Sequence, residues 1–355
     1  METILITGSS GLVGSAAVRF FAERDFNVVG IDNDMRRQFF GEAGSTLATA
    51  EKLESSYANF SSYSIDIRDA ERLAEVFDRG GPIKAVVHCA AQPSHDWAAR
   101  EPATDFSVNA NGTLGLLELT RQKAPDAVFV FMSTNKVYGD RPNYFDYAEE
   151  ASRWSPPPGS DHENGFSEQL SIDMTTHSLF GVSKTSADLL VQEYGRYFGM
   201  NTVCFRGGCL TGPDHAGVEL HGFLSYLVKA TIHGYPYTVF GHKAKQVRDN
   251  IHTEDLVQAF MQFIEDPDPG AVYNMGGGRY ANVSMLEAIK KIQSLSGITL
   301  DWSLEDLPRV GDHMWYVSDL SEFQRRYPKW QITRGIESIL EEMVEYELRN
   351  KSVAP

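Results

Sequence analysis

Apolar residues in the first half of the chain fall into two alternating textures. Short unbroken runs, Thr3 to Thr7 and Asn27 to Asp32, suit strands buried on both faces. Similar runs cover Tyr63 to Ile67, Ala85 to Cys89, Ala127 to Met132 and Thr202 to Arg206. Between most of them the apolar positions recur three and four apart. That spacing predicts a helix after Gly14, with Val13, Ala17, Phe20 and Phe21 on one face. It predicts others over Ala70 to Asp78, Pro102 to Arg121 and Lys184 to Tyr197. Strands joined by helix-length connections make a parallel, doubly wound sheet, so the fold class is α/β. No internal repeat is visible.

Two stretches break the rhythm. Phe39 to Ser62, rich in Ser, Ala and Glu, reads as an insertion between the second and third strands. Tyr144 to Thr176, with Ser155-Pro-Pro-Pro-Gly-Ser160, reads as a long loop, either a binding loop or a plain surface insertion. After Gly212 the chain turns richer in Gly, Pro, His and aromatics and ends in a helical pattern over Gly335 to Leu348. These shifts predict a first domain over 1–210, with part of 248–270 returning to it. A smaller α/β substrate domain over 211–355 interleaves with it.

Gly8, Gly11 and Gly14 follow the first strand and open the first helix. Glycines there permit a tight turn and let backbone amides approach a pyrophosphate at the helix N-terminus. Asp32, ending the second strand, suits an adenosine ribose. Its charge repels a 2′-phosphate and favours NAD over NADP, a preference that Arg36 and Arg37 soften. The fold is therefore read as Rossmann-type and the first domain as NAD-binding. Asp66-Ile67 would suit the adenine, and Asp66 reads equally as the N-cap of the following helix.

The chain then resembles the extended short-chain dehydrogenase/reductase family of nucleotide-sugar epimerases and dehydratases, nearly end to end. The residues that carry the resemblance are Thr7-Gly8-x-x-Gly11-x-x-Gly14, Asp32-Asn33, Asp66-Ile67, His88-Cys-Ala-Ala91 and Asn109-Ala-Asn-Gly112-Thr113. They continue with Ser133-Thr134-Asn-Lys-Val-Tyr138-Gly139, Tyr273-Asn-Met-Gly-Gly277 and Arg309-x-Gly-Asp312. Asn164-Gly-Phe-Ser-Glu168, His177-Ser178 and Lys245-Gln-Val-Arg-Asp249 look like the CDP-paratose (CDP-tyvelose) 2-epimerase subgroup.

The resemblance implies NAD as cofactor, a nucleoside-diphosphate sugar (a CDP-hexose favoured) as substrate, and a homodimer. It implies epimerase chemistry, in which a sugar hydroxyl is oxidised, the neighbouring centre is reset and the hydride is returned, with a nucleotide-sugar dehydratase or decarboxylase as the alternative. Cofactor contacts would come from Gly8, Ser10, Gly11, Leu12, Val13, Gly14, Asp32, Asn33, Asp66, Ile67, Ala90, Ala91, Asn109 and Lys184. Thr134 matches the hydroxyl that holds the sugar oxygen, and Lys184 the lysine on the nicotinamide ribose. Gln92, Lys136 and His177 would meet the sugar or phosphate, and Arg248 and Arg309 the diphosphate.

One position departs from the pattern. Where the family has Tyr-x-x-x-Lys, this chain has Phe180-Gly-Val-Ser-Lys184. A phenyl ring cannot accept a proton. Three readings stand: an inactivated variant, an enzyme with another base, or a homologue that binds without turnover. Cys209 is a candidate base, and also fits a small apolar core position.

The remaining features narrow the class. With 32 Lys+Arg against 48 Asp+Glu, the net charge of −16 argues against nucleic acid or an anionic membrane as partner. Cys89, Cys204 and Cys209 form no CxxC, which fits a reducing compartment, and no leader or apolar span is visible, so the expected location is cytoplasmic. His221, His252 and His313 with Asp249, Asp255 and Asp312 fit no metal spacing, so no metal is expected. Trp315, Tyr316 and Phe223 read as core or as a platform for a base.

Overall fold

The computed structural model describes residues 1–212, 222–309 and 311–351. Its first elements are Thr3–Thr7 (β1), Leu12–Ala22 (α1), Asn27–Asp32 (β2), Met35–Phe40 (α2), Leu47–Ser56 (α3) and Phe60–Ser64 (β3). Ala70–Arg79 (α4), Ile83–His88 (β4), His95–Arg100 (α5), Pro102–Phe106 (α6), Gly112–Lys123 (α7), Val128–Thr134 (β5) and Leu179–Phe198 (α8) follow.

A seven-stranded sheet runs in the order Ala271–Met275, Thr202–Gly207, β5, β4, β1, β2, β3. β1 pairs in parallel with β2 and β4, β2 with β3, and β4 with β5. The uninterrupted apolar runs are explained by this position: every residue of β1 is buried, between helices on both faces. Leu5, Val29, Val86, Phe129 and Phe131 pack with Leu73, Leu116, Leu117, Ala187 and Val191 of the helices. The strand order reverses between β1 and β4, which is where such sheets bind ligands.

The chain divides into two compact units. One takes Met1–Val137, Ser178–Arg206 and Leu256–Tyr273. The other takes Tyr138–His177, Gly207–Asp255 and the chain from Asn274 onward. The core of the second unit lies among the helices Phe223–His233, Met285–Ser296 and Ile336–Lys351, through Leu227, Val228, Ile289, Ile292, Ile339 and Leu340. Trp315 and Tyr316 are fully buried in that unit, and Phe223 packs against its core. They are core residues.

Three expectations need correction. The third strand is Phe60–Ser64, not Tyr63 to Ile67. Ile65 and Ile67 are buried, yet they lie past the strand end, and Ile67 is covered by Gly112 of α7. The stretch read as an insertion over Phe39 to Ser62 ends sooner, because β3 begins at Phe60, and it holds α3. Its anchor is Asp34, whose carboxylate accepts from Ser45 Oγ at 2.9 Å and Thr46 N at 2.7 Å. The helix from Pro102 is interrupted by a π segment over Ser107–Asn111, a local widening often found where a helix serves a site.

The long loop from Tyr144 has only the small pair Ala148–Glu149 with Trp154–Ser155. It is tied down all the same. Arg153 forms a two-pronged ion pair with Glu287, at 2.9 and 2.6 Å, and Phe166 N bonds to Val317 O. Among the described residues, no helix is long and apolar enough to cross a membrane.

Candidate active site

The turn after β1 is built on backbone crowding. Gly8 has φ +66°, and a Cβ there would sit 2.8 Å from Ala90 N, so the turn lies directly against the end of β4. A Cβ on Gly14 would fall 2.0 Å from Gly8 O. Only a glycine lets α1 start this close to the strand. α1 begins at Leu12–Val13 with Gly11 as N-cap and no side-chain cap, leaving its first amides for an anion. Ser9 Oγ and Ser10 Oγ are buried and make no hydrogen bond within the protein. Orphaned hydroxyls beside free amides are what a pyrophosphate and its ribose would satisfy, so the turn fits NAD.

Asp32 closes the other side. Its Oδ2 accepts from Ser10 N at 3.0 Å and its Oδ1 from Asp34 N at 2.9 Å, which fixes the carboxylate and leaves lone pairs for a ribose. Burial raises the Asp32 carboxyl above its ordinary range, against the pull of those amides. Arg36 feels the charge of Asp32 and Asp34, while Arg37 is turned away to Glu42. Asn33 donates to Asp66 Oδ2 at 3.0 Å, and Asp66 also holds Arg68. Asp66 is not the helix N-cap; Asp69 is, accepting from Arg72 N. Asp32→Ala is expected to weaken NAD by about 1.5–3 kcal/mol, the range for a charged hydrogen bond, and to narrow the gap between NAD and NADP. Titrations of both cofactors followed by protein fluorescence check this.

The segment after β4 is held by a buried polar network. Gln92 Nε2 donates to Asp105 Oδ1 at 2.7 Å and Asn109 Nδ2 to the same oxygen at 3.0 Å. Asn109 also donates to Ser183 Oγ on α8, and Gln92 N donates to Asn109 Oδ1. Gln92 is fully buried with its amide committed inward, an arrangement unlike the expected sugar contact. Asn109 stands in the π segment and joins α8 to the 90–94 stretch. His88 bridges Thr7 and Thr113 at 2.7 and 2.9 Å. Burial lowers its pKa to about 3, so it stays neutral.

β5 and α8 bring the remaining motif residues together. Ser133 faces inward and donates to Asp188 Oδ2 at 2.5 Å, whereas Thr134 is half-buried, with its Oγ1 bonded to Lys136 N. Thr134 is therefore the more accessible hydroxyl of the pair. Phe180, Lys184 and Asp188 recur every fourth residue of α8 and share a face. Lys184 Nζ donates to Met132 O at 2.9 Å and lies 4.2 Å from the centre of the Phe131 ring. Burial lowers its pKa to about 8, a fall that Asp188 resists. Asp188 itself forms a buried pair with Arg206, at 2.8 and 3.1 Å.

Phe180 is buried, near the start of α8, with its ring centre 5.0 Å from that of His95. No sequence motif singles out His95. The only signal is its place directly after Ser94, whose side chain caps α5 by accepting from Trp97 N.

The remaining expected contacts are in the second unit, Lys136 excepted. Arg248 pairs with Asp312 and donates to Val247 O at 2.7 Å. Arg309 is exposed and stacks over Phe240 at 4.4 Å. His177 is half-buried beside the start of α8 in sequence, and Cys209 lies in a short strand paired with Val247–His252. All three cysteines are free thiols. The acidic and histidine residues have separate duties. His252 faces Glu342 at 2.9 Å, His313 bonds Gly139 O at 2.8 Å, and Asp255 holds Thr333. Among the described residues no group of three or more His, Cys, Asp or Glu could hold a metal ion, and His221 lies outside them.

A glycine turn at the switch point, an acidic residue closing β2 and a lysine under β5 fit an NAD-binding α/β protein of the Rossmann type. The chain belongs to the NAD dependent epimerase/dehydratase family, which it matches over residues 4–276. It is 30% identical to CDP-paratose 2-epimerase of Salmonella typhi over 90% of this chain and 91% of that one. It is 28% identical to dTDP-glucose 4,6-dehydratase of Salmonella typhimurium over 98% and 93% of the two chains. A similar fold is that of UDP-glucuronic acid 4-epimerase from Bacillus cereus, solved as a tyrosine-to-phenylalanine mutant with UDP-4-deoxy-4-fluoro-glucuronic acid and NAD. The TM-score is 0.78, with 23% identity over 98% of this chain and 99% of that one. NAD is the cofactor of this family, and the turn after β1 fits it.

Proposed function

We propose that this protein is an NAD-dependent nucleotide-sugar epimerase that oxidises a sugar hydroxyl, allows the adjacent centre to be reset and then re-reduces it. The observation that carries the reading is the assembly, in one unit, of the dinucleotide turn with Thr134, Lys184 and the 180 position. NAD, when bound, accepts and returns the hydride. Thr134 would hold the sugar oxygen. Lys184 would bind the nicotinamide ribose and add positive field. Arg248 and Arg309 would meet the diphosphate, Arg248 by exchanging its Asp312 partner for phosphate oxygens. The CDP-paratose 2-epimerase relative supports a CDP-hexose as substrate.

A dehydratase is the second reading, supported by the dTDP-glucose 4,6-dehydratase relatives at 26–28% identity. Phe180 leaves a third, a homologue that binds both ligands without turnover. The test is absorbance of NADH after mixing the NAD-loaded protein with CDP-, UDP- and dTDP-glucose, with product analysis by NMR. NADH that rises and decays to an epimer supports the first reading. A keto-deoxy product supports the second. Tight binding with no NADH supports the third.

The oligomer is proposed as a homodimer. Leu179, Val182 and Leu189 on α8, with Phe106 of α6 and Leu114 of α7, are exposed apolar side chains that a second copy of the chain would cover. Sedimentation at micromolar concentration should give twice the chain mass, and a monomer would sink the idea.

A further inference from the structure

The geometry points to His95 as the proton acceptor in this site, working in place of the phenol that Phe180 lacks. The inference rests on the epimerase reading above and adds a residue to it.

Three observations converge on that imidazole. The first is contact: the His95 and Phe180 rings lie 5.0 Å apart between centres, at 59°. Phe180 is one turn before Lys184, on the face of α8 that also carries the lysine. A base beside the Phe180 ring is thus beside the position from which a phenol would act.

The second is placement. His95 is the first residue of α5, in the segment that leaves β4 at Ala90, against which the dinucleotide turn packs. The third is rigidity. Gln92, Asp105, Asn109 and Ser183 clamp the residues just before it, and Ser94 caps its helix. A proton acceptor must be held at hydrogen-bond reach of one hydroxyl, and this network spends four buried polar side chains on the stretch that presents His95. It also accounts for Gln92, which the site otherwise leaves without a task.

α5 packs against α6 and α8, and the charged residues these elements carry are Asp96 and Arg100 on α5, Asp105 on α6, and Lys184, Asp188, Glu193 and Arg196 on α8. Cys209 is on a strand of the second unit and does not share these elements.

The oxidising step balances with His95 as base. The sugar C–H bond breaks and its electron pair goes with the hydrogen to NAD⁺, giving NADH. The O–H bond breaks, its electrons form the C=O bond, and the proton passes to an imidazole nitrogen of His95. In the return step imidazolium gives the proton back to the oxygen as the hydride returns. Phe180 is then the apolar wall that keeps the imidazole facing the hydroxyl.

Two measurements on the full chain test this. In the first, histidine ring resonances are followed by NMR against pH, with and without saturating NAD, and His95 is assigned from the spectrum of His95→Asn. NAD should move the His95 resonances and lower their midpoint, because burial and a cationic nicotinamide both disfavour imidazolium. Resonances and midpoint unmoved by NAD would overturn the proposal.

In the second, hydride transfer is timed with the sugar nucleotides that give NADH. His95→Asn should slow it on the order of 10²–10⁴-fold, the usual span for a lost general base, with NAD affinity kept. Adding Phe180→Tyr to His95→Asn should return activity and move the pH profile toward that of a phenol. Full activity in His95→Asn also overturns it. If no sugar nucleotide yields NADH in any variant, the epimerase reading fails, and the NMR titration still decides whether His95 faces the nicotinamide.

Discussion

Gly14→Ala is expected to lose NAD binding. The added Cβ would lie 2.0 Å from Gly8 O, 2.7 Å from Gly8 C and 2.8 Å from Ser9 Cα, all backbone atoms that cannot rotate away. The turn must open, and with it the spacing between the α1 amides and the β1 end. Overpacking of this kind costs about 1–3 kcal/mol, and if it falls on the bound state the affinity drops about 5–150-fold. Gly11→Ala is the control, because its Cβ meets only Gly8 O, at 3.4 Å. Calorimetric titration of NAD into both variants should separate them. Equal affinities would mean that the turn adapts and that close approach of α1 to β1 is not what holds the dinucleotide.

The largest expected loss of stability comes from Asp188→Ala. Asp188 is fully buried and accepts from Ser133, Gln192 and both prongs of Arg206. These bonds join β5, α8 and the strand Thr202–Gly207. Removing the carboxylate leaves the Arg206 guanidinium buried and unpaired by it, which costs about 3–5 kcal/mol. It also takes from Lys184 the charge that resists the fall of its pKa. Asp188→Asn keeps part of the hydrogen bonding and should lose less. Urea denaturation of the NAD-free protein reads both. An unchanged midpoint in Asp188→Ala would show that water or another carboxylate reaches Arg206.

The sheet was largely legible because its strands are buried on both faces. Thr3–Thr7 and Asn27–Asp32 were placed to the residue, since each is an unbroken apolar run ended by a turn. β3 was displaced because Ile65 and Ile67 mimic a strand: both are buried, yet past the strand end, Ile67 against Gly112 of α7. α3 left no periodic trace, as Leu53 is its one fully buried residue. Of the site, the glycine turn, Asp32 and the Phe180–Lys184 face could be read from spacing. Gln92 and His95 could not. Which of two polar residues three apart turns into the protein depends on Asp105 and Asn109, partners far along the chain.

The division of the chain into units has a consequence for synthesis. The first unit is not complete until Tyr273, because its last segment, Leu256–Tyr273, is made after two of the three segments of the second unit. A ribosome therefore releases six of the seven strands of the nucleotide-binding sheet well before the outer strand, Ala271–Met275, exists to cover Thr202–Gly207. During that interval Val203 and Phe205 stand on an open strand edge, an invitation to pair with another chain. Truncation before Tyr273 leaves that edge open for good, so fragments ending there should aggregate rather than persist as a small NAD-binding domain.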